Sequence, residues 1–178
     1  MGSFVMKRVR EGYLFHLYAT NRLILATSQI YNTADACKKG ILSVTDCVGK
    51  AGEVDLTVPG HMTPENPRFE ITRDGVGKFF FRLRATKGEI ILTSSGYATP
   101  QLASLGIGMV RRSVENAGTY EVKGGGRVVL MNILKRQNKE EGGNKRTGDV
   151  AEIAIYTDRP LILDSEKETD GIFSRPDA

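Results

Sequence analysis

A chain of 178 residues with 40% hydrophobic and 26% charged residues has globular composition, which excludes wholesale disorder. A net charge of +4, built from 25 basic and 21 acidic residues that are interspersed, describes a mixed solvated surface with a slight bias toward anionic partners. No apolar run approaches the roughly 20 residues of a membrane span, and residues 1–10 lack the ordered basic and apolar regions of a secretion signal. A cytoplasmic protein without membrane contact is therefore expected.

The first clear element is a strand in which Tyr13, Phe15, Leu17 and Ala19 point inward while Leu14, His16 and Tyr18 point outward, the two-residue period of a pleated sheet. A turn at Asn21 leads to a return strand over residues 23–27. Thr33 is a good helix N-cap, and Ala34, Cys37, Ile41, Val44 and Val48 then mark one face of a helix. Residues 57–67, TVPGHMTPENP, hold three of the six prolines and read as a semi-rigid extended connector.

The same order follows again. Residues 69–72 form a short β-type run closed by Arg73-Asp74-Gly75. Phe79, Phe81, Leu83 and Ala85 alternate with Phe80, Arg82 and Arg84, and residues 90–93 return. Thr99 and Pro100 open a second helix marked by Ala103, Ile107, Val110 and Val114. At an offset of 66 residues, 15 of the 44 positions from 13 to 56 are identical to their counterparts without a gap. That is a duplication. The fold expected is α+β: a tandem β-β-β-α unit with pseudo-twofold packing, as one continuous sheet or as two sheets facing across their helices, plus a C-terminal β-rich extension. A single unit of about 50 residues lies near the lower limit for independent stability, so the copies should share a core. Gly40 and Gly106 occupy the same position inside the two helices, which points to close approach by another backbone, the sheet or the paired helix. Cys37 and Cys47 lie about 15 Å apart along a helix, too far for a disulfide, and are expected as reduced, packed thiols.

The stretch from Gly88 to Tyr97 (GEIILTSSGY), followed by Gly106-Ile107 and Val110 and preceded by residues 79–86 (FFFRLRAT), resembles the YegP-like family. These are tandem bacterial domains of about 50 residues and of unknown function. The first copy departs from the pattern at Asn21-Arg22-Leu23 and Gln29-Ile30. The resemblance implies a β-β-β-α duplication and a tendency to associate through repeats; it supplies no catalytic residues. The resulting division is a first repeat over 1–56, the linker over 57–67, a second repeat over 68–123 and an extension over 124–178. Within the extension, residues 127–134 and 150–157 look like strands. Residues 135–149 read as a mobile hairpin tip, and the polar end as frayed.

The chemistry is sparse. His16 and His61 stand in no metal-ligand spacing, and no nucleophile elbow, zinc-protease or phosphate-loop motif occurs. The reading is a non-enzymatic interaction or assembly module without catalytic residues, metal or cofactor, presenting sheet surface to a protein partner or to itself. Its candidate face is Leu14, His16, Tyr18, Phe80, Arg82 and Arg84, where Leu14 and Phe80 would leave an apolar patch in water unless the extension or a second subunit covers it. The alternative is a basic nucleic-acid-binding module using Arg111, Arg112, Lys135, Arg136, Lys145 and Arg146 beside Arg82 and Arg84. A weaker one is a small-ligand sensor in a cleft between the copies.

Overall fold

The computed structural model describes residues 1–131. In chain order these form β1 (Ser3–Val9), β2 (Gly12–Tyr18), β3 (Ile24–Thr27), α1 (Ala34–Val48), β4 (Gly52–Asp55), β5 (Arg68–Arg73), β6 (Phe79–Arg84), β7 (Ile90–Ser94), α2 (Pro100–Val114), β8 (Gly118–Lys123) and β9 (Arg127–Leu130). The strands make one continuous nine-stranded sheet in the order β4-β5-β6-β7-β3-β2-β1-β8-β9. Both helices are capped as the sequence implies, by Thr33 accepting from the Ala36 amide and Thr99 from the Leu102 amide.

The expected β-β-β-α unit is present twice, and each copy continues into a fourth strand that leaves its own half. β4, which ends the first copy, pairs in parallel with β5, the start of the second; β8, which ends the second, pairs in parallel with β1. The halves meet in the middle through β3 and β7, where Thr27 lies opposite Thr93. These two residues occupy the same position in the repeat, so the pseudo-twofold axis passes between them. The linker is consequently no free spacer. To bring β5 parallel to β4 the chain must run back along the sheet edge, and it packs there: Pro64 lies against Gly52, and Arg68 donates to the Pro64 carbonyl at 3.3 Å.

The core lies between the sheet and the helices and repeats in both copies. Phe4 meets Phe15 edge-on at 5.6 Å, and Phe69 meets Phe81 at 6.0 Å. Tyr31 stacks on Phe15 and Tyr97 on Phe81. The strand amides of Phe15 and Phe81 donate to the buried hydroxyls of Ser28 and Ser94, both at 2.9 Å. The helix glycines have a different cause from the one expected: a methyl group on Gly40 would strike the Tyr31 hydroxyl, and one on Gly106 the Tyr97 hydroxyl. A side chain of the same copy, not a neighbouring backbone, requires the glycine. Cys37 and Cys47 are free and buried, and burial pushes the Cys37 thiol up to about 12, so it stays protonated.

Offset arithmetic exposes one difference between the copies. Past the first turn the repeat runs at 66 residues, but Phe4 occupies the place of Phe69, an offset of 65. The β5–β6 turn is one residue longer, and Asp74 closes it by accepting from the amides of Val76 and Lys78. This shift places Val5 of the first copy in register with Glu70 of the second.

Candidate functional site

Among the described residues both helices pack on one side of the sheet, and neither crosses the other side. One row of paired residues runs across that helix-free face through all nine strands: Leu130, Tyr120, Val5, His16, Thr27, Thr93, Arg82, Glu70 and Val54. His16 and Arg82 stand in this row, and the other four candidate face residues lie two positions to either side of them on the same face. Leu14, His16 and Tyr18 stand on β2 and Phe80, Arg82 and Arg84 on β6, each half-buried while its alternate neighbours Phe15, Leu17, Phe81 and Leu83 enter the core.

The two halves of this face differ in chemistry. On the first copy's side, Val5 is 5% exposed yet stands outside the helix-side core, covered by its neighbours on the face. Around it lie Leu14, Tyr18, Tyr120 and Leu130. His16 belongs to this half: desolvation by burial, helped by the charge of Lys7, lowers its imidazole to about 4, so it is neutral at pH 7. Its Nδ1 lies 2.8 Å from the Thr27 hydroxyl oxygen.

On the second copy's side the position of Val5 is taken by Glu70, 2% exposed. Its Oε1 receives Arg68 Nη2 at 2.7 Å and Arg84 Nε at 2.8 Å. Burial alone would raise its carboxyl, but hydrogen bonds and charge from Arg84 and Arg68 outweigh it and hold the group below its ordinary value. Arg84 also donates to the Gly88 carbonyl at 2.8 Å. Two arginines thus share one carboxylate. Arg82, directly opposite Glu70, makes no hydrogen bond or ion pair among the described residues. This half is cationic. Glu70 escaped the sequence reading because Arg68-Phe69-Glu70 reads as the start of a strand; only the register places its carboxylate between Arg68 and Arg84.

Of the basic residues named for nucleic acid, the structure describes two, Arg111 and Arg112, and both stand on α2 rather than beside Arg82 and Arg84 on β6. Arg111 is committed internally, donating to the carbonyls of Val48 at 2.7 Å and Ala51 at 2.8 Å while its guanidinium stacks 5.1 Å from the Phe69 ring. It closes the C-terminal end of α1, tying one copy to the other, and is not free for phosphate. Arg112 is exposed on α2, away from Arg82 and Arg84. Lys135, Arg136, Lys145 and Arg146 lie outside the described residues, as does the loop 135–149. A shallow cleft between the copies does exist, about 410 Å³, lined among others by Thr20, Asn21, Met109 and Arg112. Among the described residues no cluster of His, Cys, Asp and Glu could hold a metal, and no helix is long and apolar enough to cross a membrane.

The duplicated, strand-exchanged sheet has relatives. A family profile described as a domain of unknown function, DUF1508, matches residues 10–55 and 74–121, one match to each copy. The chain belongs to the DUF1508 family. A UPF0339 protein of Pseudomonas aeruginosa is 31% identical over 117 residues, 65% of this chain and 93% of that one. The UPF0339 protein YegP of Escherichia coli is 31% identical over 99 residues, 56% of this chain and 76% of YegP. The solution structure of E. coli YegP, a protein of unknown function, aligns with a TM-score of 0.57 at 27% identity, covering 69% of this chain and 94% of YegP. A UPF0339 protein of Shewanella oneidensis gives 0.55 at 20% identity and speaks for the fold alone. The YegP-like resemblance is thereby confirmed. The DUF1508 matches end at residue 121, short of the extension.

Proposed function

We propose that this DUF1508 protein is a non-enzymatic interaction module that presents the helix-free face of its sheet to a protein partner or to a second copy. One observation supports the reading above the others: among the described residues a nine-stranded sheet has a whole face without helices, and Leu14, Tyr18, Phe80 and Tyr120 are only half-covered on it. A sheet face with no partner would carry polar outward positions instead. The titratable groups there also suit recognition better than proton transfer, since His16 is neutral across the physiological range and Glu70 is held by its two arginines. The two unpaired buried thiols favour a reducing compartment, the cytoplasm.

The experiment compares the wild type with the pair Leu14→Glu, Phe80→Glu and with Leu105→Glu on the exposed side of α2. Solution mass and affinity capture followed by protein identification are read for all three. The expected result is association that the sheet-face pair abolishes and the helix variant keeps. A wild type that stays monomeric at high concentration and captures nothing beyond what the pair captures would overturn the reading.

Arg82, which has no partner among the described residues and stands beside Phe80, favours a second reading, single-stranded nucleic acid tracked by the cationic half. Labelled oligonucleotides decide it: binding that falls steeply from low to physiological salt and is lost in Arg82→Glu supports it, and no binding at low salt removes it.

A further inference from the structure

The helix-free face is apolar on one half and cationic on the other, and this chain carries a segment with the complementary pattern. Residues 1–131 hold 17 basic and 11 acidic residues, whereas residues 149–178 hold eight acidic and three basic ones, a net charge of −5. Four of those acids, Asp164, Glu166, Glu168 and Asp170, form an alternating run interrupted by the single base Lys167. It is flanked by the apolar groups Leu161-Ile162-Leu163 and Ile172-Phe173. An acidic run bracketed by apolar anchors matches a face on which, among the described residues, Arg82 has no counter-ion and Leu14, Tyr18 and Tyr120 are only half-covered.

Connection and length agree with this. β9 ends at Leu130, which lies on the row of the helix-free face, at the apolar edge of the sheet. Nine strands at about 4.8 Å spacing make a face about 40 Å wide. The residues between 131 and 149 can span up to roughly 60 Å at about 3.3 Å each, enough to reach the cationic half. The P. aeruginosa relative is matched over 93% of its length by 117 residues and has no room for a counterpart. The segment is therefore an addition to the shared fold.

We propose that residues 149–178 dock in cis on the helix-free face, the run from 164 to 170 neutralising Arg82 and the flanking apolar residues covering its neighbours. The protein's own C-terminal segment is then the resident occupant, which an outside partner must displace and which rising salt loosens. This rests on the reading of the face as a binding surface and adds its occupant.

The test uses the full chain with Ser165→Cys carrying a nitroxide spin label; the native cysteines are buried and stay unlabelled. Nuclear magnetic resonance intensities of backbone amides are compared with the label oxidised and reduced. The expected result is that Phe80, Arg82 and Arg84 lose more than half their intensity, well beyond the loss at Leu102 and Leu105 on the outside of α2. Arg82→Glu should abolish that difference, and adding Glu166→Lys with Glu168→Lys should restore it. Equal loss on β6 and α2, or no loss on either, would overturn the proposal. So would a loss seen in full when labelled and unlabelled chains are mixed, since the contact would then lie between molecules. A positive result alongside failure of the partner experiment would leave the docking standing and remove the outside partner; the reverse would remove only the docking.

Discussion

The two copies anchor their cores on the same aromatic, serine and glycine residues and build the helix-free face from different ones. Behind the sheet, Phe4–Phe15 and Phe69–Phe81, Tyr31 over Gly40 and Tyr97 over Gly106, and Ser28 and Ser94 are near-superimposable solutions to one packing problem. In front of it, Ser3, Val5, His16 and Tyr18 stand where the second copy has Arg68, Glu70, Arg82 and Arg84. Close packing penalises changes of volume in the core, so the aromatic contacts at its centre stay alike even where Ala26 has Leu92 as its counterpart. A surface tolerates divergence, and here the divergence separates an apolar half from a cationic one. The shared fold is thus a scaffold, and what distinguishes this molecule lies on the face without helices.

The largest effect should come from breaking the charged half's internal support. Glu70→Ala leaves Arg68 and Arg84 adjacent without their carboxylate, and because both arginines keep some solvent contact the loss should be about 2–3 kcal/mol by denaturant titration. Converting the site to its first-copy form, Glu70→Val with Arg68→Ser and Arg84→Tyr, should recover most of that loss, because apolar residues can replace a buried ion group at little cost.

The core should answer alike in both copies. Gly40→Ala and Gly106→Ala each gain helix propensity of about 1 kcal/mol yet push a tyrosine ring off its phenylalanine, for a net loss of about 1–2 kcal/mol. Removing the hydroxyl with Tyr31→Phe or Tyr97→Phe should return part of it, which a double-mutant cycle reads directly. Arg111→Ala should cost about 1–2 kcal/mol through the lost carbonyl contacts at the end of α1, whereas Thr45→Ala at the matching place, bonded only within its own helix, should stay within about 0.5 kcal/mol.

A difference absent at neutral pH and confined to acid belongs to His16. Its folded value near 4 lies below its ordinary 6.5, so between those values the unfolded chain takes a proton that the folded one refuses. Stability should be full above pH 6.5 and decline as pH falls toward 4. His16→Gln should flatten that window, while the further loss on protonating Glu70 at lower pH remains.

Much of this was legible from local pattern. The alternation of Phe79 to Ala85, the N-caps Thr33 and Thr99, and the identity of 15 of 44 positions are properties of neighbouring residues, so strands, helices and duplication follow from the sequence alone. The six face residues were identifiable for the same reason, since a two-residue period assigns a side before any fold is known. Three things were not. The parallel pairing of β4 with β5 and of β8 with β1 joins one copy to the other, so nothing local announces it. Arg111 reads as a surface cation until the other copy's helix end is brought beneath it. The Glu70–Arg68–Arg84 group depends on a register that a one-residue difference in turn length sets. The sequence by itself determined the strands and helices of the repeated unit and which side of β2 and β6 faces inward, because those are decided over a few residues. Only the tertiary structure decided that the halves exchange their last strands, and hence that the two divergent surfaces lie side by side on one continuous sheet, because pairing between distant segments is a contest that local preference does not enter.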